Sequence, residues 1–427
     1  MKKNNELDTY FTKMTGEKSL QVPGLGLIVY KNGEEIYSFF GGSRRINENE
    51  NLPMTRDAKF RIASVSKMFV AFTLLQLAQK GKLNLEDDVS DYLTFTLRNP
   101  NFQDTAITLR MLANHTSSLR DGKIYSIPPE KNLREFFSPK GEYWEDGAHF
   151  APKNETVGEY FTYCNLNYGV LGTVIEAVTG ERFDIYQKNH ILRELDIKGD
   201  YVPGNFSDDE FFKLGTTYQK KDSFGNWNEN GAWYGKADDF KGIKPPQETV
   251  FLQNPYAEKS QGAYSLKNYV PGANATIFSP TGGLRISVGE LAHALEMIMN
   301  DGVYNKKQVL SQKSLNMMFG RTWVYDSTKN NGNTLGGSVL SYGLGAYCMD
   351  GATKAKMCRN ENINLVGHTG EAFGMLSALC FRPGTKDGFV YIMNGTAIDV
   401  DNEKSRGKFS NNYIWEERVA DAVCSLF

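Results

Sequence analysis

Phe60-Arg61-Ile62-Ala63-Ser64-Val65-Ser66-Lys67 runs directly into the apolar stretch Met68-Phe69-Val70-Ala71-Phe72-Thr73-Leu74-Leu75, and the reading of this segment decides the rest. Its first residues read as a short strand, Ala58 to Ile62, and the apolar group reads as a helix buried on nearly every side. Ser64 is thereby expected at a helix start. Residues three apart share a helix face, so Lys67 returns beside the Ser64 hydroxyl about one turn (~5 Å) later. An amine there can take the hydroxyl proton, and the positive end of the helix favours a developing alkoxide while disfavouring a charged lysine. The spacing alone is common: Ser405-Arg406-Gly407-Lys408 repeats it without such a context.

Outward from this segment, a chain of 427 residues with 40% hydrophobic content can bury a large core in more than one lobe. A net charge of −2, with no basic cluster interleaved with aromatics, argues against nucleic-acid partners. No run of about 18 apolar residues predicts a membrane span. Met1-Lys2-Lys3-Asn4-Asn5-Glu6 carries the charge of a signal peptide without the apolar segment that follows one, so the expectation is a protein that stays inside or has lost a leader. Cys164, Cys348, Cys358, Cys380 and Cys424 are too scattered for a disulfide framework and suit a reducing compartment. His115, His149, His190, His293 and His368 show no metal-ligand spacing, which predicts neither a metal nor another cofactor.

Along the chain, Leu7, Tyr10, Phe11 and Met14 recur at helical spacing. Gly24 to Tyr30 and Glu35 to Phe40 read as strands joined through the hairpin signal Asn32-Gly33. The helix opened by Ser64 is expected to reach about Lys80 and stop at Gly81. Residues 121–158 and 201–273 read as long loops, and their aromatics argue against disorder. Ser287-Val288-Gly289-Glu290 is a capping box before a helix with Leu291, Leu295 and Ile298 inward. Strands follow at Ile363 to Thr369, Gly374 to Phe381 and Gly388 to Asn394, then a helix with Trp415, Val419 and Val423 on one face. Strands near both termini, flanked by terminal helices, predict an α+β fold. One sheet lobe is expected from residues 1–75 and 275–427, with residues 76–274 as a helical and loop-rich insert and the active site between the two.

Two later motifs join the first. Tyr163-Cys164-Asn165 precedes the apolar helix Val170 to Val178, and His368-Thr369-Gly370 is expected to end the strand Leu365-Val366-Gly367. The order S-x-x-K, Y-x-N, H-T-G resembles the serine β-lactamase and penicillin-binding protein superfamily. Ile107 to Leu119, Pro280-Thr281-Gly282-Gly283-Leu284-Arg285 and Tyr342-Gly343-Leu344-Gly345 extend that resemblance over most of the chain. The tyrosine motif places it nearest the class C β-lactamases, DD-peptidases, D-aminopeptidases and β-lactamase-like esterases. The resemblance implies a β-lactamase/transpeptidase-like fold, a mainly antiparallel sheet flanked by helices with an inserted, mostly helical lobe.

It also implies roles. Ser64 would attack a carbonyl while Lys67 and Tyr163 move the proton, and Asn165 would hold the Lys67 amine and a substrate amide. The backbone N–H groups of Ser64 and Glu371 would bind the oxyanion, Gly370 would leave room for the substrate, and Thr369 would donate to one of its polar groups. His368 stands where most β-lactamases of this type have Lys, and Ser118 replaces a usual Gly. A neutral imidazole attracts a carboxylate less than an ammonium does, which favours peptidase or esterase work over β-lactam hydrolysis. The substrates implied are D-amino-acid peptides, β-lactams or small esters; a carboxylesterase, a D-aminopeptidase and a penicillin-binding sensor or inactive scaffold are the alternatives. His115 reads as structural. A Cys164 nucleophile lacks a histidine partner by sequence.

Overall fold

The computed structural model describes residues 4–16, 20–46, 51–253 and 261–427, so the first three residues of the charged start lie outside it. Helix α1 (Asn5–Gly16) buries Leu7, Phe11 and Met14, as their spacing requires. Strands β1 (Gly24–Lys31) and β2 (Glu34–Ile46) form the expected hairpin. Asn32 and Gly33 take φ of 53° and 81°, the two consecutive positive values of a turn whose twist matches its strands. β3 (Asn51–Pro53) follows, then β4 (Lys59–Arg61) and helix α2 (Ser66–Gln79). α2 is buried from Ser66 to Leu77, and Gly81 at φ 65° ends the segment.

Helix α3 (Leu166–Thr179) begins directly after Asn165, earlier than the apolar run alone indicates. β5 (Arg285–Ser287) leads into α4 (Val288–Met299), whose capping box between Ser287 and Glu290 is formed. The main sheet is completed by β6 (Trp323–Val324), β7 (Ser341–Tyr342), β8 (Tyr347–Met349), β9 (Leu365–Ala372), β10 (Met375–Phe381) and β11 (Gly388–Met393), and helix α5 (Ile414–Cys424) follows. Nine strands make one antiparallel sheet in the order β6-β7-β8-β9-β10-β11-β1-β2-β3, so β1 joins β11 from the far end of the chain. Both faces of that sheet are covered. Leu25, Leu27 and Val29 face a cluster containing Phe11, Trp415 and Val419, while Ile28 and Tyr30 face the side with Leu291, Leu295 and α2. This explains why β1 reads as a nearly continuous apolar run.

Four expectations are corrected. β4 does not enter the main sheet; it pairs with β5, Phe60 opposite Ile286. Ser64 does not open the α-helix but sits in the 3₁₀ turn Ala63–Val65 just before it. His368-Thr369-Gly370 does not end its strand: β9 continues to Ala372, because β10 pairs with it through Ala372 opposite Met375. Residues 201–273 are not simply loop, since Thr217–Lys221 pairs with Ala232–Ala237 and Thr249–Gln253 with Gln261–Ser265. Their polar, turn-rich sequences hide the strand period.

Candidate active site

The turn that carries Ser64 is held by its neighbours more than by its own sequence. Ile62 N–H donates to the Leu284 carbonyl at 2.9 Å, and the Ser377 hydroxyl of β10 donates to the Ile62 carbonyl at 2.8 Å. Ala63 takes a left-handed φ of 43°, a conformation costing about 1 kcal/mol or more for a residue with a Cβ. A Cβ added to Gly370 would meet the Ile62 carbonyl at 2.7 Å and Ser64 N at 3.0 Å. The missing side chain of Gly370 therefore makes room for the Ser64 turn rather than for a substrate. β8 covers β9 only from Leu365 to Gly367, which leaves that edge of β9 open from His368 onward.

Lys67 is fully buried, and its Nζ lies 3.0 Å from Ser64 Oγ, 2.9 Å from Asn165 Oδ1 and 3.1 Å from the Thr281 carbonyl. Burial pulls its pKa down from 10.5 to about 7, against the opposing pull of Asp121. A neutral amine has two N–H bonds and one lone pair. The two carbonyl-type oxygens take the N–H bonds, and the lone pair is left facing the Ser64 hydroxyl. Asn165 is fixed in turn: its Nδ2 donates to Asp121 Oδ2 at 2.9 Å, and Asp121 Oδ1 accepts the Leu166 N–H at 2.8 Å at the start of α3. One N–H of Asn165 remains for another acceptor.

Tyr163 faces Ser64 through its hydroxyl and Lys67 across its ring, with Nζ 4.8 Å from the ring centroid. Burial pushes its phenol well above the ordinary value of 10.0, so it holds its proton. His368 is 2% exposed, and burial, helped by Lys67, lowers it to about 3. Its Nδ1 is bonded to the Thr369 carbonyl and so carries the ring proton. The bare Nε2 faces Tyr342 Oη at 3.0 Å and Tyr163 Oη at 3.5 Å. On the other side of Tyr342, His115 Nδ1 accepts the Cys164 N–H at 3.1 Å, which leaves its protonated Nε2 to donate to Tyr342 Oη at 3.2 Å. The chain His115–Tyr342–His368 is thus satisfied with both imidazoles neutral. His368, expected to touch substrate, has its ring nitrogens turned toward these groups.

Thr369 Oγ1 lies 2.8 Å from Tyr347 Oη, and Glu371 is exposed beside it. Ser64, Tyr163, Asn165, His368, Thr369 and Glu371 all line one cleft of about 940 Å³. The eight sequence-predicted residues are therefore brought to one place, Lys67 beneath the cleft and Gly370 under the Ser64 turn. The sequence does not mark Asp121, Thr281 or Tyr342 as site residues, and from sequence His115 reads as structural. Thr281 and Tyr342 fall in stretches that carried the resemblance, whereas Asp121 has no signal of its own. Cys164 is buried, with its thiol pushed well up by burial and by Asp121, which disfavours a thiolate there. Among the described residues no group of His, Cys, Asp and Glu could hold a metal ion, and no helix is long and apolar enough to cross a membrane.

A sequence model of the Beta-lactamase family matches residues 7–408. Protein flp of Staphylococcus aureus (strain NCTC 8325 / PS 47) is 30% identical over 177 residues, 41% of this chain and 34% of that protein. Putative penicillin-binding protein PbpX of Bacillus subtilis (strain 168) is 31% identical over 208 residues, 48% of this chain and 44% of that protein. The matches thus span less than half of these relatives. Among solved structures, D-amino acid amidase from Ochrobactrum anthropi SV3 superposes with a TM-score of 0.62 at 19% identity, covering 99% of this chain and 98% of that one. The penicillin binding protein from Bacillus halodurans gives 0.60 at 17% identity, covering 100% of both chains. At such identities the likeness speaks for the fold, an α+β arrangement of the β-lactamase/transpeptidase type. With a family match over nearly its whole length and a superposable fold, the chain belongs to the beta-lactamase family.

Proposed function

We propose that the protein is a serine hydrolase that forms an acyl-enzyme on Ser64, acting on amides or esters of the D-amino-acid peptide or β-lactam kind. The observation that carries this is the buried Lys67 amine, 3.0 Å from Ser64 Oγ, 2.9 Å from Asn165 Oδ1 and 3.1 Å from the Thr281 carbonyl, so that in its neutral form the two carbonyl oxygens take its N–H bonds and its lone pair is left for the Ser64 hydroxyl. In this reading Ser64 Oγ attacks the substrate carbonyl carbon and its proton passes to Lys67 Nζ. The oxyanion forms between the N–H groups of Ser64 and Glu371, each worth roughly 3 kcal/mol. Tyr163, still protonated, gives its proton to the leaving nitrogen or oxygen and recovers one from Lys67, and water then releases the acyl group. The division at residues 75/76 and 274/275, with the cleft between the parts, is part of the same proposal. It is supported by the single sheet that joins β1–β3 to β6–β11.

A second reading, an esterase or D-aminopeptidase rather than a β-lactamase, is favoured by His368. The side chain beside Thr369 is a neutral imidazole committed to other groups, so it offers no charge to a substrate carboxylate. Intact-mass and peptide analysis after treatment with a fluorophosphonate or a penicillin tests the acyl-enzyme. An adduct on the Ser64 peptide, absent in Ser64→Ala, is expected, and an adduct that persists in that variant would end the proposal. Turnover on nitrocefin, p-nitrophenyl butyrate and a D-Ala-D-Ala peptide ranks the substrates. Many turnovers on any of them excludes a once-acylated sensor.

A further inference from the structure

Asp121 reaches the cleft through Asn165, and its carboxylate holds three consecutive residues at the start of α3. Oδ2 accepts one N–H of the Asn165 amide at 2.9 Å, while Oδ1 accepts the Leu166 N–H at 2.8 Å and the Cys164 thiol at 3.3 Å. Arg120, the cation next to it in the chain, is bonded to Glu155.

Starting α3 requires one acceptor for the Leu166 N–H. Oδ1 meets that need, and the oxygen of an asparagine would meet it as well. The bond made by Oδ2 is not part of such a cap. A carboxylate can only accept, so the part of Asn165 turned toward it must be the NH2 group, and the amide oxygen must point the other way. There Asn165 Oδ1 receives Lys67 Nζ at 2.9 Å and the Thr281 hydroxyl at 2.6 Å. The neutral Lys67 amine thus directs an N–H at Asn165 and keeps its lone pair for Ser64 Oγ, 3.0 Å away. With an uncharged amide at position 121, Asn165 can turn over, and an NH2 facing Lys67 competes with Ser64 for that lone pair.

The other titratable groups facing the Lys67 amine among the described residues are Tyr163, Cys164, Tyr168, His115 and His368. Burial raises the thiol and both phenols and lowers both imidazoles, so these groups are uncharged around neutral pH. The Asp121 carboxylate is then the charge that pulls Lys67 back up against burial.

We propose that Asp121 is a positioning residue for the nucleophile: by fixing which way the Asn165 amide faces, it aims the Lys67 lone pair at Ser64 and keeps Lys67 basic enough to take the Ser64 proton. The inference deepens the hydrolase reading, as the control of its base, and rests on it.

Burst labelling of Ser64 by a fluorophosphonate as a function of pH is compared in wild type, in Asp121→Asn, and in the exchange variant that combines Asp121→Asn with Asn165→Asp. In Asp121→Asn the charge is lost and the amide can turn over, so the midpoint of the rate profile should fall by about one pH unit and the limiting rate by about 10²-fold. The exchange variant retains the hydrogen bonds, since the amide at 121 donates to the carboxylate at 165 and still caps Leu166, but it brings the negative charge against Lys67. Its midpoint should lie above that of wild type. The acidic groups lining the cleft, Glu371, Asp399, Asp401 and Glu416, are the same in all three proteins, so a displaced midpoint reports Lys67. A cap without this role lowers the rate and leaves the midpoint where it was. Any order of midpoints other than exchange variant highest and Asp121→Asn lowest would overturn the proposal. If Asp121→Asn fails to fold, the exchange variant against wild type decides, and a midpoint there that is not raised counts against Asp121. Failure of the hydrolase reading is seen separately, as the absence of an adduct on Ser64 of the unmodified protein at every pH, and it would take this inference with it.

Discussion

In the proposed reaction Lys67 is the residue on which the chemistry turns, and its state is set by packing rather than by a neighbouring charge. Burial brings its pKa to about 7, which predicts an acylation rate that rises with pH and levels off above about 7, as the amine loses its proton. Burst labelling of Ser64 by a fluorophosphonate between pH 5 and 9 measures this directly. His368, lowered to about 3, and Tyr163, raised above its ordinary value, add no titration inside that window. Glu416, which lines the same cleft and is pushed up to about 7 by burial, does, so the profile is repeated with Glu416→Gln, and a flat profile there would contradict the role given to Lys67. Tyr342 acts on the same site through His368. Replacing it with Phe removes the proton that occupies His368 Nε2 and leaves Tyr163 Oη, 3.5 Å away, as the remaining donor. The Tyr163 proton is then diverted from the leaving group. Steady-state kinetics of Tyr342→Phe should show kcat reduced about tenfold with KM nearly unchanged. The unpaired His115 N–H should lower stability by about 1–3 kcal/mol in urea unfolding.

Among the elements, the hairpin of β9 and β10 does more than extend the sheet. It presses Gly370 against the Ser64 turn and fastens Ile62 through Ser377, so the left-handed Ala63 is held in place by a neighbouring strand. A methyl at Gly370 has to displace the Ser377 hydroxyl at 2.6 Å and, beyond it, the backbone Ile62 carbonyl at 2.7 Å and Ser64 N at 3.0 Å. Gly370→Ala should therefore keep its far-UV circular dichroism while losing roughly 10²-fold in acylation rate, the scale of a nucleophile misplaced by about an ångström. Wild-type acylation in that variant would show that the turn is rigid without the strand.

Across the whole molecule, Asp238 ties separate parts of the chain together. It receives Arg61 of β4 at 2.8 Å and Arg285 of β5 at 2.8 Å, just after the strand Ala232–Ala237. Burial alone would push its carboxyl up, but the two guanidiniums outweigh burial and hold it well below 3.8. Because its folded pKa is depressed, its contribution to stability is present above 3.8 and is lost as pH falls toward the folded value. Asp238→Asn leaves two buried guanidiniums uncompensated and should cost about 3–5 kcal/mol at neutral pH. The difference in urea midpoint between wild type and variant should hold constant from pH 7 to 4 and narrow below that. A gap that stays constant into strong acid would remove the ion pairs from the account of what joins these parts.

The sequence by itself determined the elements with a strong period or a fixed turn chemistry. The hairpin at Asn32-Gly33, the capping box at Ser287, the largely apolar α2 and the terminal helices were legible because each depends on residues close in the chain. Ser64, Lys67 and Tyr163 were legible as candidates for a related reason, since their motifs combine local spacing with order along the chain. Only the tertiary structure decided which charges those groups carry and what supports them. The lowered pKa of Lys67 and the neutrality of His368 follow from burial by distant segments, and Asp121 reaches the site from a place with no local pattern to mark it. Desolvation and hydrogen-bond closure depend on what surrounds an atom in space, and a linear order of residues does not contain that until the chain has folded.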